Sequence, residues 1–202
     1  VLVYSDKFKG AAEEVVAAMA EAATPIAHLL HVDGDGLPGS HLYSDVPAAS
    51  PDTPVTYEAL EAEDIACLLF TGGTTGYPKG AQISHRQVCW NVLNTVIHDV
   101  RHDDIYLNVF PLFHTGGLFT YLSSQVLFGG LTVLMKQFDP ALVLHLIERE
   151  RATIFAAVPT QYQMMPQAPN WATADRSSLR FRTSGGAPLP VPLVEQYTRE
   201  KG

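Results

Sequence analysis

Short apolar runs that alternate with helix-compatible stretches constrain this chain more than any other feature. DIACLLFT (64–71), IYLNVFP (105–111), LTVLMK (131–136), TIFAAVP (153–159) and LRFRTSG (179–185) read as strands. Helical patterns lie between or after them: from Ser84 to about Asp99, over 117–128, over 139–152, from 160, and from 190 to the end. Strands separated by crossover helices imply an α/β fold, a mainly parallel sheet flanked by helices. Two helix starts carry local signatures. Ser84 and Gln87 have the spacing of a capping box, and Asp139 with Pro140 reads as N-cap and first helical residue. Val88, Val92 and Val96 recur on one face of the helix that Ser84 begins.

The first third is organised differently. VLVYS (1–5) and IAHLLHV (26–32) read as strands around an Ala/Glu-rich helix, 8–23. Residues 33–54 are rich in Gly, Pro, Ser and Asp and read as an exposed connection, and TYEALEA (56–62) as a short helix. DIACLLFT is expected to be buried, with AQIS (81–84) as a second short strand.

A net charge of -8 argues against general nucleic-acid binding, which needs a basic surface. No apolar run is long enough to span a bilayer, and a cytoplasmic location is expected. Cys67 and Cys89 lie in apolar, strand-like and helix-like surroundings and are expected to be buried free thiols. The chain opens inside an apolar run and stops in helix-compatible sequence, so it is expected to be the middle of a longer protein.

TGGTTGYPKG, residues 71–80, is the stretch with the most chemical content. Gly72, Gly73 and Gly76 can turn backbone N–H groups inward, Thr71, Thr74 and Thr75 add hydroxyls, and Lys79 adds a positive charge. That set suits phosphate. It is not a Walker A loop, because Pro78 precedes the lysine, Gly80 follows it, and a strand separates the loop from the next helix.

The loop resembles the signature segment of the adenylate-forming superfamily, which includes acyl-CoA synthetases, luciferases and carrier-loading adenylation domains. PLFHTGGL (111–118), VPTQYQMM (158–165) and SGGAPLP (184–190) resemble further segments of that family, in the family's order. The family most often has serine where this chain has Gly72. The resemblance implies one piece of the large N-terminal AMP-binding domain: 1–63 the first strands, helix and connection, and 64–202 the phosphate loop and acyl-pocket region. It implies ATP-dependent activation of a carboxylic acid to an acyl-adenylate, then thioester formation, with ATP, Mg²⁺ and CoA as small-molecule partners.

By the same resemblance Thr71, Gly72, Gly73, Thr74, Thr75, Gly76 and Lys79 hold the phosphates. His114, Gly116, Gly117, Val158 and Thr160 line the acyl pocket, and Gly185, Gly186, Ala187 and Pro188 wall the adenine side. These residues are apolar or small, which favours a fatty or aromatic acid. No catalytic residue and no metal ligand is assigned within the chain. The family's glutamate segment, ribose-binding aspartate, hinge and C-terminal cap domain with its lysine are not found here, so the 202-residue piece is expected not to turn over alone, and its exposed edge leaves association into a homo-oligomer open. Rival readings are a luciferase-like enzyme, a carrier-loading domain, a Walker-type NTPase and a non-catalytic nucleotide-binding protein. His98 and His102 with nearby aspartates read as a solvated helix end, the helical pair His85 and Cys89 lacks an orienting carboxylate, and Met164 and Met165 read as filler.

Overall fold

The computed structural model describes residues 1–72 and 76–201. The chain divides into two compact units, Val1–Glu58 and Ala59–Gly202. In the first unit β1 (Leu2–Tyr4), β2 (Leu29–His31) and β3 (His41–Leu42) form a parallel sheet, with α1 (Lys9–Glu21) between β1 and β2. The connection expected over 33–54 therefore contains a strand, and also a short helix, α2 (Asp45–Ala49). It is anchored by a long-range contact: the Leu37 N–H donates to Tyr4 Oη at 2.6 Å, and Leu37 packs with Tyr4 and Ala12.

In the second unit β4 (Ile65–Thr71) and β5 (Lys79–Ser84) pair antiparallel, so the glycine-rich stretch joins the two strands of a hairpin. This corrects the expectation of a buried strand. Ile65, Leu68 and Phe70 are exposed, because the ribbon carries apolar side chains on both faces with little packed against either. Residues 56–62 form no helix, since so short a segment cannot offset the cost of nucleation without tertiary packing. Cys67 and Cys89 are free, but only half-buried and exposed respectively. Cys67 lies on the uncovered ribbon and Cys89 on an open helix face.

The capping box forms as its spacing predicts. Gln87 N–H donates to Ser84 Oγ and Ser84 N–H to Gln87 Oε1, opening α3 (His85–Thr95). The helix ends earlier than expected, in a 3-10 turn over Val96–His98 that stops at Asp99 in the left-handed region, φ +57°. Val92 alone of the valine stripe is fully buried.

The main sheet is parallel throughout: β7 (Leu131–Leu134), β6 (Ile105–Asn108), β8 (Ile154–Ala157), β9 (Phe181–Ser184), in that spatial order. The helix expected over 117–128 is two, α4 (Thr115–Phe119) and α5 (Leu122–Phe128), broken at Tyr121. Next come α6 (Pro140–Glu150), whose N-cap Asp139 accepts from Leu142 N–H at 2.7 Å, α7 (Pro159–Met164) and α8 (Val191–Lys201). Strand alternation divides the core. Leu107, Phe155 and Ala157 face Val143, Leu144 and Ile147 of α6 and Tyr162 of α7. Tyr106, Ile154 and Ala156 face the other way, toward Tyr121. Met165 is buried in the first core, while Met164 is exposed.

The chain leaves β6 for β7 on one side and returns past β6 to β8 on the other. Order reverses at β6, and in open α/β sheets the crevice beyond the carboxyl ends at such a point is where ligands bind.

Candidate active site

A cavity of about 630 Å³ occupies that crevice. Its walls come from four separate stretches: His98; Phe110, Pro111, His114, Gly116, Thr120 and Tyr121; Ala156 and Val158; and Thr183, Ser184, Gly185 and Gly186. The volume is that of a small-molecule site. His114, Gly116, Val158, Gly185 and Gly186, named from sequence, meet here. Thr160, Ala187 and Pro188 are exposed and do not line it.

Gly117 stands behind the lining. It is buried, and a Cβ there would collide with the Pro111 carbonyl, so glycine permits the turn after Pro111 to close on α4. The turn is held by Asn108, buried at the end of β6. Its Nδ2 donates to the Gly117 carbonyl at 2.9 Å, and its Oδ1 accepts from the Phe110 N–H at 3.0 Å. Sequence reasoning missed Asn108, although a lone amide inside the apolar run IYLNVFP was a signal. His114 precedes α4, and its Nδ1 accepts from the Gly116 N–H at 3.0 Å. In the neutral ring that leaves the proton on Nε2, which is then a hydrogen-bond donor.

On the opposite wall, the Val158 N–H donates to Gln161 Oε1 at 3.0 Å, fixing the start of α7. Gly186 takes φ +81°, with Val158 Cγ1 beside the place a Cβ would fill. Tyr162 Oη donates to the Thr183 carbonyl at 2.9 Å, tying α7 to β9. Ser184 Oγ is buried and has no hydrogen-bond partner among the described residues.

In the cavity lining Tyr121 is 1% exposed and packs edge-on against Tyr106 and Phe181. Its hydroxyl lies 3.1 Å from His98 Nδ1. Burial pushes the phenol's pKa up, with the Thr183 hydroxyl opposing, so the group stays neutral near pH 7. His98 is exposed at the end of the 3-10 turn, as a solvated helix end would be, and its ring also makes this contact. Its partner lies 23 residues away, beyond any local pattern.

Arg180 secures the turn that carries His98. It donates to the Asp99 carbonyl at 2.6 Å, to Asp99 Oδ2 at 3.0 Å, and to Asp104 at 2.9 and 2.8 Å. Asp104 is 1% exposed. Its burial would raise the carboxyl pKa, but hydrogen bonds from Arg180, Thr153 and the Arg101 N–H outweigh that and hold it below the ordinary aspartate value.

Of the phosphate-loop set, Thr71 is the last residue of β4, and its Oγ1 donates to the Lys79 carbonyl at 3.3 Å. Gly72 is exposed, Gly76 has φ +105°, and Lys79 opens β5, exposed. Lys79 has no ion-pair partner among the described residues. Gly73, Thr74 and Thr75 lie outside the described residues. Among the described residues no three or more His, Cys, Asp or Glu side chains are grouped to hold a metal ion, and no helix is long and apolar enough to cross a membrane.

Fold, switch-point cavity and glycine-rich hairpin together match a known class. The pattern of the AMP-binding enzyme family matches residues 1–202, and the chain belongs to that family. It is 40% identical over 148 residues to a feruloyl-CoA synthase of Amycolatopsis, covering 73% of this chain and 29% of the relative. It is 36% identical over 172 residues to the indoleacetate–CoA ligase of Aromatoleum aromaticum, covering 85% and 30%. Among solved structures, the inhibitor-bound N-terminal domain of FACL13 from Mycobacterium tuberculosis superposes with a TM-score of 0.78 at 28% identity, over 98% of this chain and 48% of that one. ATP-bound MatB from Rhodopseudomonas palustris gives 0.79 at 29%, over 98% and 37%. The chain spans about a third of the length of the curated relatives it matches.

Proposed function

We propose that the protein carrying this chain activates a carboxylic acid with ATP and passes the acyl group to CoA, working in the cytoplasm, and that the acid is aromatic or fatty. The observation that carries this reading is the cavity: one crevice gathers His114, Gly116, Val158, Gly185 and Gly186 from three distant stretches. Two relatives of the chain are named for aromatic acids, and another, from Bacillus subtilis, for long-chain fatty acids.

In the proposed reaction a carboxylate oxygen attacks the α-phosphorus of ATP, the bond to the β-phosphate oxygen breaks, and pyrophosphate leaves. The CoA thiolate then attacks the acyl carbonyl and AMP leaves. Both reactants of the first step are anions, so fixed positive charge and donors are needed where charge builds. Lys79, with no competing ion pair among the described residues, fits the β- and γ-phosphates, joined by the backbone N–H groups of the 71–76 loop. Thr71 joins them if its hydroxyl exchanges the Lys79 carbonyl for phosphate. Mg²⁺, bound to the triphosphate, would supply further charge neutralisation. His114 Nε2–H is a donor at the cavity mouth for the carboxylate, and the Gly185–Gly186 turn lets a flat ring approach the backbone. Ser184 Oγ is a buried hydroxyl whose hydrogen bonding a ligand would complete.

The test is ATP–pyrophosphate exchange by the complete protein across a panel of aromatic and fatty acids. Exchange that depends on the acid, with AMP and an acyl-CoA as products, is the expected result. Cleavage of ATP to ADP, with no acid dependence, contradicts the reading.

A further inference from the structure

Helices α3, α4 and α5 border a second hollow, a groove of about 620 Å³. Apart from Ser123 its walls are apolar side chains and the Cys89 thiol, with Leu93 from α3, Phe119 from α4, and Val126 and Leu127 from α5. Cys89, Leu93, Val126 and Leu127 are all exposed. Apolar side chains gathered in this way on a surface mark a place where something docks.

The chemistry of the groove and the size of a structural neighbour single out what fills it. Faces that open and close between domains mix polar with apolar groups, whereas permanently covered faces are apolar like a domain core. The groove is of the second kind. The N-terminal domain of FACL13, on which 98% of this chain superposes, is about twice as long, since the chain covers 48% of it. A domain of that length has further polypeptide of its own with which to close such a face.

The groove also bears on the β4–β5 hairpin. Ser84 ends β5 and caps α3, the His85 N–H donates to the Asp64 carbonyl at 3.0 Å, and the Arg86 N–H donates to the Ala62 carbonyl at 2.8 Å. The start of β4 and the end of β5 are thus both tied to the first turn of α3. With Ile65, Leu68 and Phe70 exposed on the ribbon, α3 is its anchor.

We infer that polypeptide of the same domain, from outside residues 1–202, fills the groove between α3 and α5, and that this packing, acting through α3, positions the hairpin for phosphate. The hairpin half rests on the proposed reaction with ATP, and the groove half does not. Leu93 is then a positioning residue, acting on the phosphate site only through the helix that carries it.

Cys89 reports on the groove directly. The complete protein is treated with a maleimide, native and in denaturant, and labelling of Cys89 is followed by peptide mass spectrometry. The expected result is labelling about 100-fold slower in the native protein, at every protein concentration and with or without ATP. Native labelling as fast as in denaturant leaves the groove open and overturns the inference. Protection lost on dilution assigns the groove to a second copy, protection that ATP switches assigns it to a moving domain, and either overturns it. Leu93→Ala, read by pyrophosphate exchange, is expected to raise KM for ATP about tenfold and leave KM for the acid nearly as it was. A protected Cys89 with both constants raised, or neither, overturns the hairpin role. Absence of exchange by the wild type with every acid overturns acid activation and the hairpin role together, while the labelling still decides what fills the groove.

Discussion

The four-stranded sheet and the β4–β5 hairpin are built from similar apolar runs and end in opposite conditions. Phe155 in β8 is 1% exposed between α6 and α7, whereas Phe70 in β4 is 67% exposed. The sheet is covered on both faces because crossover helices return over it, and its cavity is therefore walled by side chains locked through packing. The hairpin has no crossover and no such cover, and it carries the glycine-rich stretch. The half that would recognise the acid is thus preorganised by a core. The half that would hold phosphate relies on backbone donors and one lysine.

The contrast can be broken most severely at Phe155. Phe155→Ala should cost about 4 kcal/mol by leaving a cavity in the core, read by chemical denaturation of the chain. Next is Arg180→Met, which strands the Asp104 carboxylate and should cost about 3 kcal/mol. The sign of its pH dependence follows from the depressed Asp104 pKa. The stabilisation is present above the ordinary aspartate value of 3.8 and is lost as pH falls through the lower folded value, so the wild type should lose this advantage over the variant only in that acid range. Lys79→Ala should weaken ATP binding roughly 10- to 100-fold, the equivalent of about 1.5–3 kcal/mol for charged hydrogen bonds, with little effect on folding. Calorimetry on the complete protein measures it, and an unchanged affinity removes Lys79 from its role. The smallest effect belongs to Phe70→Ala, within about 0.5 kcal/mol on the chain alone. A loss as large as that at Phe155 would erase the distinction between the regions.

What was legible in the sequence was local or periodic. The Ser84/Gln87 box, the Asp139–Pro140 start and the strand–helix alternation each depend on a few neighbouring residues, and each appears in the fold. Misreadings arose where partners are distant. DIACLLFT has the composition of a buried strand, but composition states what a segment could bury, not what covers it. The two-residue β3 exists through its pairing with β2 and the Leu37–Tyr4 bond, inside a stretch that reads as loop. His98 and Tyr121 meet only because α4 and α5 break at Tyr121 and α3 ends in a 3-10 turn, neither of which the periodicity marked. The segments 111–118, 158–165 and 184–190 each supply cavity lining, but Thr160, Ala187 and Pro188 show that neighbours within such a segment need not share its site.

The most direct measurement is ATP–pyrophosphate exchange by the complete protein with ATP and the acid varied in turn, for Lys79→Ala and for Ala156→Leu, which fills the cavity from the sheet. Lys79→Ala should raise KM for ATP and leave KM for the acid nearly as it was, while Ala156→Leu should do the reverse. Exchange that needs no carboxylate, or two variants that raise the same constant, would contradict a hairpin that holds phosphate and a sheet cavity that holds the acid.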